Sequence, residues 1–266
     1  MRLKDRIAIV VGAGQSPGEG MGNGRATAIT FAREGARVLC VDRNPASAQE
    51  TVDMIVANGG TAAAFEADVT KESDVKAMVA DTQARWGRID VLHNNVGVSL
   101  AGGDAELLAI TEEAIDRCVA INLKSCIFAA KHVIPVMRTQ GSGSIINISS
   151  MAAITTYPYV AYKATKSAMI AFTEQLAYQN AQYGVRANVI LPGLMNTPMA
   201  VDTRARAFNK TRAQMEAERD AQVPLRKKMG TAWDVANAAL FLACDEANFI
   251  TGVTLPVDGG ASVRRG

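Results

Sequence analysis

The chain has 266 residues, 48% of them hydrophobic and 20% charged, with a formal net charge of +2 at pH 7. That length and apolar content suit one α/β domain with a substantial core and argue against a disordered or fibrous chain. With aromatics at only 5% and no Lys/Arg stripe, a nucleic-acid-binding surface is excluded. No apolar run at the N-terminus is long enough for a membrane span or a signal peptide. Cys40, Cys118, Cys126 and Cys244 form no C-x-x-C pair, so buried reduced thiols in the cytoplasm are expected, with no membrane partner.

The first apolar run, Ile7 to Gly12, reads as a buried strand and opens a glycine-rich turn that continues to Gly24. Glycines there let backbone N–H groups approach a pyrophosphate, and the helix starting near Gly24 adds its positive N-terminal end. Strand-like runs follow at 36–42, 61–69, 89–95, 143–149, 185–193 and 252–260. Amphipathic stretches lie between them at 24–35, 45–59, 71–87, 111–141, 159–184 and 231–247. Strands alternating with helices predict a Rossmann-type doubly wound parallel sheet of about seven strands, with helices on both faces, in a single domain over 1–266. The second strand ends at Asp42, eighteen positions after Gly24, where a carboxylate accepts hydrogen bonds from the adenosine ribose and repels a 2′-phosphate. Asp42 therefore favours NAD, with NADP as the lesser expectation, because Arg43 beside it could stack on adenine or grip a phosphate.

Downstream of the fifth strand, Ser149, Tyr162 and Lys166 can converge on one oxygen. Tyr162 and Lys166 are one helical turn apart, and an ammonium beside a phenol lowers the phenol's pKa toward that of a general base. A second copy of the pair, Tyr159 with Lys163, stands three residues earlier. Residues 196–229 then break the alternation with a charged, helix-prone stretch after a strand end. Such a stretch is placed to act as a lid over a ligand, although a solvated helical pair gives the same pattern. Nothing shows metal-ligand spacing, so no metal is expected, and His93 and His132 read as structural residues.

Taken in order, the motifs GAG…GNG (Gly12 to Gly24), ADV (Ala67 to Val69), NNVG (Asn94 to Gly97), Asn122, ISS (Ile148 to Ser150), YKATK (Tyr162 to Lys166), PGLMNTPM (Pro192 to Met199) and ITGVTLPVDGG (Ile250 to Gly260) resemble the short-chain dehydrogenase/reductase family over nearly the whole chain. The resemblance implies a nicotinamide cofactor and a catalytic tetrad. The family's serine lies thirteen residues before its tyrosine, which selects Ser149, Tyr162 and Lys166 over the earlier pair and leaves Tyr159 as a pocket wall or a structural aromatic. Asn122 would hold a water in a proton relay. Gly12, Gly22, Asn23, Gly24 and Gly97 would border the cofactor. Asp68 and Val69 would meet adenine, Asn94 the adenosine ribose, and Pro192, Gly193 and Thr197 the nicotinamide, with Lys166 on its ribose. The chain departs from the family in three places. Nine residues rather than three separate Gly12 from Gly22, Val11 stands for the usual Thr, and Val96 for the usual Ala.

The expected activity is reversible, NAD-dependent interconversion of a secondary alcohol, cyclic alcohols included, and its ketone. Ser99, Met151, Tyr159, Leu194, Met195 and Met199 are the candidate substrate pocket, adaptable and mostly apolar. Arg204, Arg206, Lys210 and Arg212 in the lid could attract an acidic substrate or simply form a solvated face. The alternatives are an NADPH-dependent ketoreductase of the 3-oxoacyl-carrier-protein type and a non-catalytic NAD-binding scaffold. The long helices at about 111–139 and 157–183 are apolar on more than one face, and the resemblance implies a homotetramer.

Overall fold

The computed structural model describes residues 1–264. Nine strands form: β1 (Ile7–Val11), β2 (Arg37–Asp42), β3 (Thr61–Glu66), β4 (Val91–Asn94), β5 (Gly143–Ile148), β6 (Val185–Pro192), β7 (Met195–Asn196), β8 (Gly230–Thr231) and β9 (Thr254–Val257). Seven of them make one parallel sheet in the order β3-β2-β1-β4-β5-β6-β9. The chain winds outward from β1 to β3, returns to β4 beside β1, and winds the other way. Between β1 and β4 neighbouring connections therefore leave to opposite faces and open a crevice at the strands' C-terminal ends.

Alternation along the strands builds the two faces. Ala8 and Val10 of β1 pack with Phe31 of α1 (Asn23–Arg33), Ile55 of α2 (Pro45–Ala57) and Val235 of α9 (Ala232–Ala243). Ile9 and Val11 face the other layer, with Met78 of α3 (Glu72–Trp86), Val133 and Met137 of α5 (Ser125–Gln140) and Leu176 of α6 (Val160–Asn180). Local chemistry starts these helices. The Asn44 side chain accepts from Ser47 N (3.2 Å) at the head of α2, and Pro45 supplies the first helical residue.

The helix expected across 111–141 is not uniform. It runs as α4 (Glu112–Val119), a π-helical turn at Ala120–Lys124, and α5. The charged stretch at 196–229 holds α7 (Asp202–Ala207) and α8 (Arg212–Asp220) around its own small core of Val201, Ala205, Met215, Val223 and Met229. Two-residue strands close its base, with Met195 paired to Gly230 and Asn196 to Thr231. These bridges are too short to leave a periodic signal in the sequence.

Candidate active site

A cleft of about 1540 Å³ follows the C-terminal edge of the sheet from Asp42 and Asp68 to Tyr162 and the underside of α7 and α8. At its centre β1 turns through Gly12, whose φ of +81° favours glycine. A Cβ on Gly24 would stand 1.9 Å from Gly12 O, so only glycine lets the start of α1 sit on this turn. The nine residues between Gly12 and Gly22 fold back rather than hang free. Gln15 Oε1 accepts from Gly22 N (3.1 Å) and Gln15 N donates to Ser47 Oγ (3.0 Å). The tip reaches α7 and α8, where Arg206 donates to Pro17 O (3.5 Å) and Arg212 pairs with Glu19 (3.8 Å).

Asp42 turns its carboxylate toward this loop, accepting from Gly14 N (3.1 Å) and Asn44 N (3.0 Å). Asp68 is held below the usual carboxylate range by the Thr70 hydroxyl and backbone N–H, with the Lys71 and Arg43 charges adding to them. Arg43 thus already faces an acidic neighbour. At the start of α1 the Asn23 Oδ1 is buried without a partner, an acceptor left for something the chain does not supply. The glycine turn, the N-terminus of α1 and the paired acidic residues fit a dinucleotide. Val69, Gly97, Pro192, Gly193 and Thr197 also line the cleft.

Asn94 does not. It is buried in β4 and donates to Asn147 Oδ1 (2.8 Å), which ties β4 to β5. The residue that reaches the cleft is Asn95, donating to Gly12 O (3.2 Å), so the expected ribose contact of Asn94 is corrected.

The reacting end is set by β5 and α6. Asp104 accepts from Ala161 N (2.9 Å) and Tyr162 N (3.0 Å), capping the first turn of the helix that carries Tyr162 and Lys166. Lys166 is buried, donates to Ile148 O (2.7 Å), and has its Nζ 5.7 Å from the centre of the Tyr162 ring. Burial brings its pKa down to about 8, with the Cys126 thiol acting weakly the other way. Burial likewise pushes the Tyr162 phenol above its ordinary value, opposed by a hydrogen bond from the Ser150 hydroxyl. The expected lowering of the phenol by Lys166 is therefore corrected for the protein alone, where desolvation outweighs it.

The serine is corrected as well. Ser149 N still donates to Ile190 O (2.9 Å), continuing the β5–β6 ladder, and its hydroxyl donates to Lys166 O (2.7 Å) inside the core. Ser150 is the first residue past the ladder and puts its hydroxyl beside Tyr162, while also accepting from Ala152 N (3.2 Å).

Asn122 lies in the π turn, fully buried, with its side chain accepting from Val98 N (2.7 Å) and donating to Val98 O (2.9 Å) and Thr165 Oγ1 (3.0 Å). Both N–H donors and one lone pair of its side chain are thus engaged by the chain itself. Its role is to hold the loop after β4 against α6, with Gly97 packed close to Lys166 Nζ.

Of the expected pocket residues, Ser99, Met151, Leu194, Met195 and Met199 line the cleft, and Tyr159 does not. Tyr159 packs edge-on against Tyr157 at 5.6 Å, and Tyr157 is the ring on the cleft, 5.4 Å from Tyr162. The Tyr157 hydroxyl joins Ser99 Oγ (3.1 Å) and Arg204 Nη2 (3.4 Å), which links the cap residue Asp104 through Ser99 to the helices above. His93 is buried against Phe31 with its pKa pushed down to about 3, and His132 meets Glu72 on the surface (2.9 Å), both away from the cleft.

A family model described as enoyl-(acyl carrier protein) reductase matches residues 19–262. The 2,5-dichloro-2,5-cyclohexadiene-1,4-diol dehydrogenase LinX of Sphingobium indicum is 36% identical, covering 98% of both chains. A crystal structure from Burkholderia xenovorans, provisionally described as a short-chain dehydrogenase/reductase, superposes with a TM-score of 0.90 at 41% identity, covering 100% of this chain and 99% of that one. Levodione reductase does so with a TM-score of 0.92 at 30% identity, covering 99% and 100%. The curated levodione reductase of Leifsonia aquatica is 32% identical over 98% of this chain and 96% of its own length.

Proposed function

This chain belongs to the short-chain dehydrogenase/reductase family, and from that premise we propose that it is an NAD-dependent dehydrogenase interconverting a secondary, ring-borne alcohol and its ketone. An oxidoreductase acting on CH–OH groups with a nicotinamide cofactor follows from the family. The observation that carries the finer reading is the Ser150–Tyr162–Lys166 group in the same cleft as the glycine turn. The choice of NAD rests on Asp42, backed by Asp68, where a 2′-phosphate would meet two carboxylates. A ring in the substrate is supported by the cyclohexadiene-diol named for LinX and by an apolar, methionine-rich wall.

A nicotinamide held between the glycine turn and Lys166 would supply the hydride acceptor for the alcohol carbon. The Ser150 hydroxyl holds the substrate oxygen, and Tyr162 takes the hydroxyl proton. Lys166 has one of its three ammonium protons on Ile148 O and keeps donors for a ribose hydroxyl. The ammonium would also stabilise the phenolate of Tyr162 that takes this proton, the phenol having first released its own proton to solvent through the cleft. Asn122 and Asp104 both hold α6, which carries Tyr162 and Lys166. Residues 196–229 act as the substrate lid. The four buried, unpaired thiols support a reducing, cytoplasmic setting. The helical run Glu112–Gln140, 29 residues with an 18-residue window of mean hydropathy 1.3, is long and apolar enough to cross a membrane by length and composition only. We assign its outward face, with Ile115 and Ile127, to a second copy of the chain in a homotetramer, which light scattering would test.

Initial rates over a panel of cyclic secondary alcohols, with NAD and with NADP, test the reading. Oxidation with NAD preferred by at least about tenfold is expected. Preference for NADP would move the chain to the ketoreductase reading, and cofactor binding without turnover of any alcohol would favour a scaffold.

A further inference from the structure

The cations of the 196–229 segment fall into two groups. Lys210 pairs with Glu218 (2.7 Å), Arg212 with Asp202 and Glu216 (3.0 Å to Glu216), and Lys228 with Asp220 (2.7 Å). Arg206 lies out on the glycine loop. Arg204 and Arg219 differ, because neither has a carboxylate partner among the described residues and both face the cleft. Arg219 is only 8% exposed. Its Nε rests on the Met229 sulfur (3.4 Å), and its two terminal nitrogens find no acceptor among the described residues. Arg204 is half-buried and reaches only Ala200 O and the Tyr157 hydroxyl, both at 3.4 Å.

Holding a largely buried guanidinium against the cleft without a counter-charge is unfavourable, so the chain alone gives no reason to keep Arg219 there. Burial and the facing Arg204 charge bring its pKa down to about 10, the response expected of a cation whose counter-ion is missing. The location says which ligand end it serves. Arg204 touches Tyr157, whose ring lies on Tyr162, whereas the acidic residues of the dinucleotide end lie at the far side of the cleft.

The geometry points to Arg219 and Arg204 as an oxyanion clamp at the substrate end of the cleft, so that the alcohol carries a second, anionic group, a carboxylate or a sulfonate. This rests on the dehydrogenase reading for the word substrate, but the clamp stands on the unpaired arginines alone. Two guanidinium forks suit the paired oxygen acceptors that either group presents, and Arg204, reaching down from α7, brings the segment over the bound molecule. An anion arriving there would also draw the 196–229 segment onto the site, because both arginines belong to it.

The test pairs hydroxycyclohexanecarboxylate with its carboxamide, and a hydroxyalkane sulfonate with its sulfonamide. NAD-saturated protein is titrated with each by calorimetry, and kcat/KM is measured in parallel. The anionic member should bind at least about tenfold more tightly and lose about thirtyfold or more on Arg219→Met, chiefly in KM. The carboxylate and sulfonate arms separate the two anions. Arg204→Gln should narrow the same ratio, and it carries the test if Arg219→Met does not fold. Equal affinity for charged and neutral members overturns the clamp, as does an Arg219→Met effect on NAD affinity in place of the anion ratio. A clear anion preference with no oxidation by NAD or NADP leaves the clamp standing and removes the dehydrogenase reading.

Discussion

Exchanging the two adjacent serines for alanine, one at a time, separates two roles that a motif count merges. The Ser149 hydroxyl is buried and donates to Lys166 O at 2.7 Å, so Ser149→Ala removes one buried neutral hydrogen bond and leaves the carbonyl its helical partner. Such a bond contributes about 1 kcal/mol net, which in a domain of this size lowers Tm by roughly 2–4 °C. Nothing at the reacting oxygen is lost, and kcat should stay within about threefold of wild type, the residue of a slightly looser α6. The Ser150 hydroxyl sits beside the Tyr162 phenol and is half-exposed to the cleft. Ser150→Ala removes a donor aimed at the developing charge, an effect of about a hundredfold or more in kcat, with a Tm change of no more than about 2 °C. Steady-state kinetics on one cyclic alcohol and calorimetric melting of both variants give the four numbers needed. The inverse pattern, with Ser149→Ala inactive and Ser150→Ala near wild type, would refute the assignment and restore the thirteen-residue count.

Tyr162→Phe should keep NAD binding, measured by fluorescence quenching, and lower kcat by about a hundredfold or more; near-wild-type turnover would remove the phenol from the mechanism. Asp42→Ala should narrow the NAD-over-NADP ratio of kcat/KM by about tenfold, since it removes a carboxylate that repels the 2′-phosphate. Lys166 has an ordinary value of 10.5 and a folded value of about 8, so between those pH values the folded protein holds less of this proton than the unfolded chain. The group therefore contributes stability above pH 10.5 that is lost as pH falls through 8. Lys166→Met should raise the Tm of the cofactor-free protein at neutral pH, and the gain should shrink as pH rises through that window. A difference that does not vary with pH counts against the buried ammonium. Gly24→Ala would push a methyl to 1.9 Å from Gly12 O, so a loss of about 2 kcal/mol or more in urea unfolding is expected, together with weakened NAD binding.

Periodicity made the sheet legible, because strands buried on both faces are apolar throughout and their helices are not. It located every main strand, and it placed the glycine turn, Asp42, Tyr162 and Lys166 on the elements that carry them. What it could not resolve is the last residue of a strand. Asn94 and Asn95, and Ser149 and Ser150, are like neighbours at strand ends, and one position decides whether a side chain enters the core or the cleft. Where the ladder stops sets that position: Ser149 N still bonds β6, and Ser150 does not. The same holds for Tyr157 and Tyr159, because Tyr159 stands at the N-cap of α6 and Tyr157 in the loop before it.

Charge was legible only as a total. The 196–229 run reads as alternating acids and bases, and a solvated face was the simpler account of it. In the fold Asp202, Glu216, Glu218 and Asp220 are each taken by a particular partner, and of the cations left over Arg206, Arg226 and Lys227 are exposed while Arg204 and Arg219 face the cleft. Arg219 lies two turns after Arg212 on nearly the same side of α8, yet Arg212 meets Asp202 and Glu216 while Arg219 is buried against Met229. A cation becomes informative when every nearby acid is accounted for, and that requires the packing of α7 on α8. Tyr162 and Lys166 are therefore within reach of spacing, and the serine beside them is not. The residues that would choose the substrate are found only by asking which buried groups the protein itself leaves without a partner.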